Sequence, residues 1–164
     1  MVLKASEKEI AWLAGFTDGE GYLGIERQRK KETAKQSASL LYHPYLIIAN
    51  NNYNVLESIR EYVGYGHIYE VRRKKSKSTH ENEKPSFQYK LTKMDKLKFL
   101  LNTLRPYLHL KQKQCDLLLN FINIRKNAKR IYGPYRGVTS YTIEEEIYQK
   151  LRTLNKRGLP NRSQ

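Results

Sequence analysis

The segment Trp12-Leu13-Ala14-Gly15-Phe16-Thr17-Asp18-Gly19-Glu20-Gly21-Tyr22 constrains this chain more than any other. It reads as the closing turns of an apolar helix that runs into two glycines and two carboxylates. Ser6-Glu7-Lys8-Glu9 is a capping box, a Ser N-cap with Glu three residues on. With Ile10, Leu13, Ala14 and Thr17 on one stripe, it predicts a helix over residues 7–18. Gly19 and Gly21 stop that helix and permit a sharp turn. Carboxylates at a helix C-terminus face the negative end of the macrodipole. The chain has 31 Lys+Arg against 16 Asp+Glu, a formal net charge of +15. Cations are abundant, so anions at this spot point to a bound cation. Ala14 and Gly15 are small enough for a second helix backbone to approach.

The charge excess also selects the partner. It marks a polyanion, either nucleic acid or an acidic membrane surface. No basic amphipathic helix carries Trp or Phe on its apolar face, which disfavours the membrane, and no apolar run has transmembrane length. A chain of 164 residues predicts one domain, residues 1–157, with 158–164 as a disordered tail. The N-terminus lacks a signal-peptide core, and Cys115, the only cysteine, fits a reducing intracellular compartment. Its place in a helical run predicts buried packing rather than a nucleophile.

Along the chain, strands are expected at residues 22–30 and 40–49, joined by a polar loop over 31–39. Asn50-Asn51-Asn52 breaks the second strand, and a helix follows over 53–63, stopped by Gly64. The pattern repeats, with strands at 67–75 and 86–91 around a polar loop at 76–85. Helices follow at 95–105 and 111–126, separated by Pro106, then a basic loop over 127–140 and an amphipathic helix over 142–155. The order predicts an α+β fold with helices segregated from an antiparallel sheet. One sheet face packs on the helices. The other presents Glu26, Gln28, Lys30, His43, Tyr69, Arg73, Gln88 and Lys90, a polar, basic and aromatic surface suited to nucleic acid.

The chemistry-bearing motifs narrow the reading. Gly19-Glu20-Gly21-Tyr22-Leu23-Gly24 matches G-x-G-x-x-G, but it follows a helix and opens a strand, and Glu20 would face a pyrophosphate; a dinucleotide loop is excluded. Asp18 and Glu20 are either solvated helix-end residues or oxygen ligands of the kind Mg²⁺ accepts together with water and phosphate. Two chains meeting at Ala14 and Gly15 would bring two Glu20 side chains together, and a metal would offset their repulsion. That arrangement supports metal-assisted phosphodiester hydrolysis. Leu108-His109-Leu110-Lys111-Gln112-Lys113-Gln114 places cations at a helix start, against the dipole, as phosphate contacts or a solvated turn. Asn50 reads as a turn former. The four histidines have no zinc-ligand spacing with cysteine, and no nucleophile elbow is present.

The stretch ending Phe16-Thr17-Asp18-Gly19-Glu20-Gly21 resembles the signature of the LAGLIDADG homing endonucleases. Val63-Gly64-Tyr65-Gly66-His67 and the Leu104–Gln114 segment resemble the single-motif branch of that family. The resemblance covers roughly Ile10 to Asn123. It implies an αββαββα unit whose saddle-shaped sheet lies in the DNA major groove, with additional C-terminal helices. It implies that Glu20 and the Gly19 carbonyl bind metal and that Lys111 is the catalytic cation. A polar residue at the end of the second strand, Asn50 or else Asn51, would position water. The DNA-reading set would be Gly24, Glu26, Gln28, Lys30, His43, Tyr45, Tyr69, Arg73, Lys75, Ser86, Gln88, Lys90 and Lys113. Trp12, Leu13, Ala14, Gly15 and Asp18 would form the interface of a homodimer. The implied activity is Mg²⁺-dependent cleavage of a long pseudo-palindromic double-stranded DNA target with 3′ overhangs. Mn²⁺ would substitute, and Ca²⁺ would bind without cleavage. An organellar or archaeal intron origin is implied. The alternative is a non-cleaving nucleic-acid-binding protein, either an intron maturase that binds intron RNA or a transcription-factor-like descendant.

Overall fold

The capping box forms as written: the Ser6 hydroxyl oxygen accepts the Glu9 N–H, and the Glu9 carboxylate accepts the Ser6 N–H at 2.7 Å. Helix α1 therefore starts at Glu7, and it runs to Glu20, two residues beyond the expected stop. The structure is a computed structural model and describes residues 3–30, 39–71, 85–127 and 142–156. Of the expected loops at 31–39, 76–85 and 127–140, residues 31–38, 76–84 and 128–140 lie outside the described residues, as does the expected tail over 158–164.

Strand β1 (Gly21–Lys30) pairs antiparallel with β2 (Ser39–Asn50). Helix α2 (Tyr53–Val63) is capped by the Asn52 side chain, which accepts the Asn54 N–H at 3.0 Å. It ends at Gly64, whose φ of 74° lies in the left-handed region that favours glycine. Strands β3 (His67–Val71) and β4 (Ser86–Leu91) pair antiparallel, and β4 docks on β2, giving the order β1-β2-β4-β3. Then come α3 (Met94–Leu104), a 3₁₀ turn at Arg105–Tyr107, α4 (Gln112–Asn127) and α5 (Thr142–Leu154). The result is the α+β class, an αββαββα unit continued by two further helices.

Side-chain parity divides the sheet. Leu23, Ile25, Tyr42, Leu46, Ile48, Tyr89 and Leu91 are buried on one face against the helices. Leu13 and Ala14 of α1, Leu56 and Ile59 of α2, Leu97 and Leu101 of α3, and Leu118 and Phe121 of α4 complete this core. Cys115 is buried in it, as expected, and burial pushes its thiol up to about 12. No helix among the described residues is long and apolar enough to cross a membrane.

Helix α5 is held to the sheet by a charged cluster as well as by buried Ile147 and Leu151. The Glu145 carboxylate accepts from the Tyr42 hydroxyl and, at 2.9 Å, from the Arg27 guanidinium. Glu144, also buried, lies 3.5 Å from the Arg125 guanidinium. The hydrogen bonds from Tyr42 and Gln149 hold the Glu145 carboxyl below the usual range against the opposing effect of burial, and Arg27 adds to this. A carboxyl depressed in the folded state contributes stability above its unfolded pKa and loses it as pH falls through the folded value. Glu145→Gln is therefore expected to cost about 1 kcal/mol near neutral pH, the pair being partly exposed. The Tm gap between wild type and variant should start to narrow as pH falls past the ordinary glutamate value of about 4.3 and vanish beneath the lowered folded value. A gap that stays constant across that titration would show that the charge of Glu145 plays no part.

Candidate functional site

Two residues along a helix turn the side chain by roughly 200°, so Asp18 and Glu20 leave α1 on opposite sides. Asp18 turns inward and is 7% exposed. Its carboxylate accepts the backbone N–H groups of His109 at 2.7 Å, Leu110 at 3.1 Å and Lys111 at 2.9 Å. Those donors belong to the segment that opens α4, whose first carbonyl partner is Lys111 O, accepting from the Cys115 N–H. Burial alone would raise the Asp18 pKa; the three N–H bonds and the Lys111 charge outweigh it, and the net shift is downward. The anion at the end of α1 is thus explained for Asp18 by the backbone donors leading into another helix and by Lys111, not by a bound cation. Both of its oxygens are used within the chain, which removes it from the expected dimer interface.

Glu20 turns outward. Its carboxylate is exposed, and no described residue gives it a hydrogen bond or an ion pair. Lys111 sits across from it, half-buried, with its ammonium donating to the Asp18 main-chain carbonyl. Burial lowers the Lys111 pKa, and the charges of Asp18 and Glu20 oppose that shift. Asp18, Gly19, Glu20, Lys111 and Gln114 line an open cleft of about 560 Å³. The sheet contributes Gly21, Tyr22, Ile47, Ala49 and Gln88 to its wall. Leu154, Asn155 and Lys156, at the end of α5, close the other side, fixed by Asn155 donating to the Leu23 carbonyl at 2.8 Å.

The outward sheet face continues from this cleft. The register places Glu26 opposite His43, Gly24 opposite Tyr45, and Gln88 opposite both Ala49 and Tyr69. Lys90 is opposite Ile47 and His67, and Ser86 is opposite Val71. Together with Gln28, these expected residues share one face. They interact: Gln28 donates to Glu26 at 2.7 Å, and the Lys90 ammonium lies 3.9 Å from Glu26 and 5.4 Å over the Tyr45 ring. Tyr22 and Tyr45 stack at 5.9 Å across Gly24. A Cβ on Gly24 would come within 2.6 Å of one ring and 2.7 Å of the other. Gly24 is therefore buried beneath the stack, and its role is to make room rather than to offer a contact. Lys113 is exposed on α4. Arg73 and Lys75 lie outside the described residues, as does the side chain of Lys30.

Two further expectations change. Asn50 shares the parity of Leu46 and Ile48, pairs with Phe87, and stands away from the residues lining the cleft. Its Oδ1 accepts the Asn52 N–H at 2.8 Å, an Asx turn that leads into the α2 cap. The turn-forming reading holds for it, and Asn51 is likewise absent from the cleft. Leu13 and Ala14 are fully buried in the chain's own core, out of reach of a second chain. The open face of α1 is Ala11, Trp12, Gly15 and Gly19. A Cβ at either glycine would meet nothing within 4 Å. Of the cleft residues not expected, Tyr22, Ile47 and Ala49 were readable from their parity with Gly24 and Tyr45. Nothing local to α5 signals that its end returns to β1.

This fold, with an exposed carboxylate at a helix end beside a lysine and a polar sheet face, defines a class. A model of the LAGLIDADG endonuclease family matches residues 13–125. The chain belongs to that family. No curated protein sequence matches it significantly. Among solved structures, it resembles the homing endonuclease I-CvuI in complex with the I-CreI target in 2 mM Mg, the DNA not cleaved. That likeness has 20% identity and a TM-score of 0.66 over 94% of this chain and 87% of that one. The archaeal intron-encoded homing endonuclease I-Vdi141I, complexed with DNA, is similar at 18% identity and TM-score 0.67, over 94% and 89% of the chains. I-TnaI, another homing endonuclease, is similar at 14% identity and TM-score 0.60, over 88% and 94%.

The Asx turn makes one assignment testable. Asn50→Ala removes a side-chain acceptor at the strand end and is expected to cost about 1 kcal/mol of stability. The check is a chemical denaturation midpoint. An unchanged midpoint would free Asn50 for a role other than the turn.

Proposed function

We propose that this protein is a site-specific double-strand DNA endonuclease that works as a homodimer on an approximately palindromic target and leaves 3′ overhangs. The observation that carries this reading is the exposed Glu20 carboxylate, without a hydrogen-bond or ion-pair partner among the described residues, beside Lys111 in a cleft continuous with the polar sheet face. Family membership fits it, as does the formal charge of +15.

The donor set fits a hard divalent cation. Glu20 and the Gly19 carbonyl are oxygen ligands in open space, and Mg²⁺ takes few protein oxygens and completes its shell with water and phosphate. Among the described residues no cluster of three His, Cys, Asp or Glu could hold a metal within one chain. A second Glu20, brought by a second copy, and the DNA phosphates would supply what one chain lacks. When bound, the metal would activate water and neutralise charge on the leaving oxygen. Mn²⁺ would substitute, and Ca²⁺ would support binding alone.

The chain's own residues do the rest. Lys111, held at the cleft wall, faces charge that develops on the scissile phosphate. Gln28, His43, Tyr45, Tyr69, Gln88 and Lys90 lie where base edges of a groove would meet the sheet. The exposed lysines and arginines position the backbone. The aromatic pair Tyr22–Tyr45 stiffens the part of that face nearest the cleft.

The test is a cleavage selection on randomised duplex DNA in Mg²⁺, followed by kinetics on the recovered sequence. Glu20→Gln should lower the cleavage rate by about 10³-fold or more and leave binding in Ca²⁺ within a few-fold. Undiminished nicking by that variant would remove Glu20 from the chemistry. Binding should fall steeply with salt as phosphate contacts release counterions. Specific binding without any cleavage by the wild type would instead favour a non-cleaving nucleic-acid-binding role.

A further inference from the structure

Lys111 has no stiff element under it. It follows the last 3₁₀ turn and precedes the first residue of α4, between exposed Leu110 and exposed Gln112. A lysine in such a connection would sample many positions. Here it is gripped at both ends by one residue. The Asp18 carboxylate accepts the Lys111 N–H at 2.9 Å, and the Asp18 carbonyl accepts from the Lys111 ammonium. The same carboxylate fixes the two preceding N–H groups, at 2.7 and 3.1 Å. Just upstream, buried Leu108 pins the start of the segment to the core.

We infer that Asp18 is the positioning residue for Lys111: it sets where the cation stands relative to Glu20 and takes no part in holding metal. Both carboxylate oxygens are already committed to backbone donors. Because Asp18 and Glu20 are two residues apart on one helix, the end of α1 fixes the spacing of the acid and the cation. The inference rests on the endonuclease reading and deepens it, since it says which chain atoms place the cation in that site.

A double-mutant cycle on the DNA recovered by selection separates positioning from plain stabilisation. Lys111→Met should lower kcat by roughly 10²–10³-fold. Asp18→Asn, near-isosteric, should lower kcat by about 10–100-fold, with affinity for the same duplex in Ca²⁺ nearly unchanged. In the Lys111→Met background, Asp18→Asn should add less than about a factor of 2. Equal losses in both backgrounds would overturn the inference while leaving the endonuclease reading in place; absence of metal-dependent cleavage by the wild type would overturn both. A readout that needs no variant and no activity is amide hydrogen exchange in the wild-type protein. The His109 and Leu110 side chains are exposed, so protection of their N–H groups by about 10²-fold or more would report the Asp18 bonds. Exchange at free-peptide rates there would refute them.

Discussion

The carboxylate of Asp18 on the opening of α4 is the contact around which the rest of this structure is arranged. It joins the end of α1 to the segment leading into α4, and the Lys111 ammonium of that segment donates back to the Asp18 carbonyl. A carboxylate buried to this degree is costly unless it is hydrogen-bonded, and three backbone donors engage both of its oxygens. The junction sits where α1 gives way to β1, an edge strand of the sheet. It thereby ties the helix layer to the strand that begins the outward face. With Asp18 spent on structure, Glu20 is the carboxylate at this helix end left exposed at the cleft.

The second constraint is strand parity. A sheet has two faces, and a one-residue slip exchanges them. Here the apolar set Leu23, Ile25, Leu46, Ile48, Tyr89 and Leu91 leaves one register open, and everything functional on the other face follows from it. Gly24 illustrates how closely that face is packed. Its missing side chain lets Tyr22 and Tyr45 stack, and Lys90 then lies over Tyr45 while also facing Glu26. Burial, followed by the nearby Tyr22 and Glu26, pushes the Tyr45 phenol up to about 12, so it stays an uncharged donor at neutral pH. The surface is a linked set of side chains rather than a scatter of independent contacts.

Much of this was legible in the residues. The capping box, the alternation in β4 and the Gly64 stop gave element positions because they are local signals, each decided by hydrogen bonds within a few residues. The outward face followed because parity needs only one buried strand to be read. What escaped was set by distant partners. Asp18 looked like a metal ligand or an interface residue because its donors lie more than ninety positions away. Leu13 and Ala14 looked like interface residues because a helix stripe does not say whether its neighbour is the same chain or another. The end of α5 reaches the cleft through a bond between Asn155 and Leu23, a contact across 132 positions that no local pattern encodes.

These corrections sharpen the case for a second copy. With Leu13, Ala14 and Asp18 turned into the core, the face of α1 left open is Ala11, Trp12, Gly15 and Gly19. Two of those residues are glycines with open space where a side chain would stand, so a second backbone could come close there without displacing anything. Trp12, 43% exposed and stacked on Phe16 at 5.2 Å, rims that strip with apolar surface. Gly19 lies on the strip and Glu20 directly follows it. A helix laid against Gly15 and Gly19 by a twofold axis would therefore carry its own Glu20 towards this one. Two free carboxylates brought together repel unless a cation lies between them. The same packing that closes the dimer would thus create the demand for metal, and each half-site would depend on both chains.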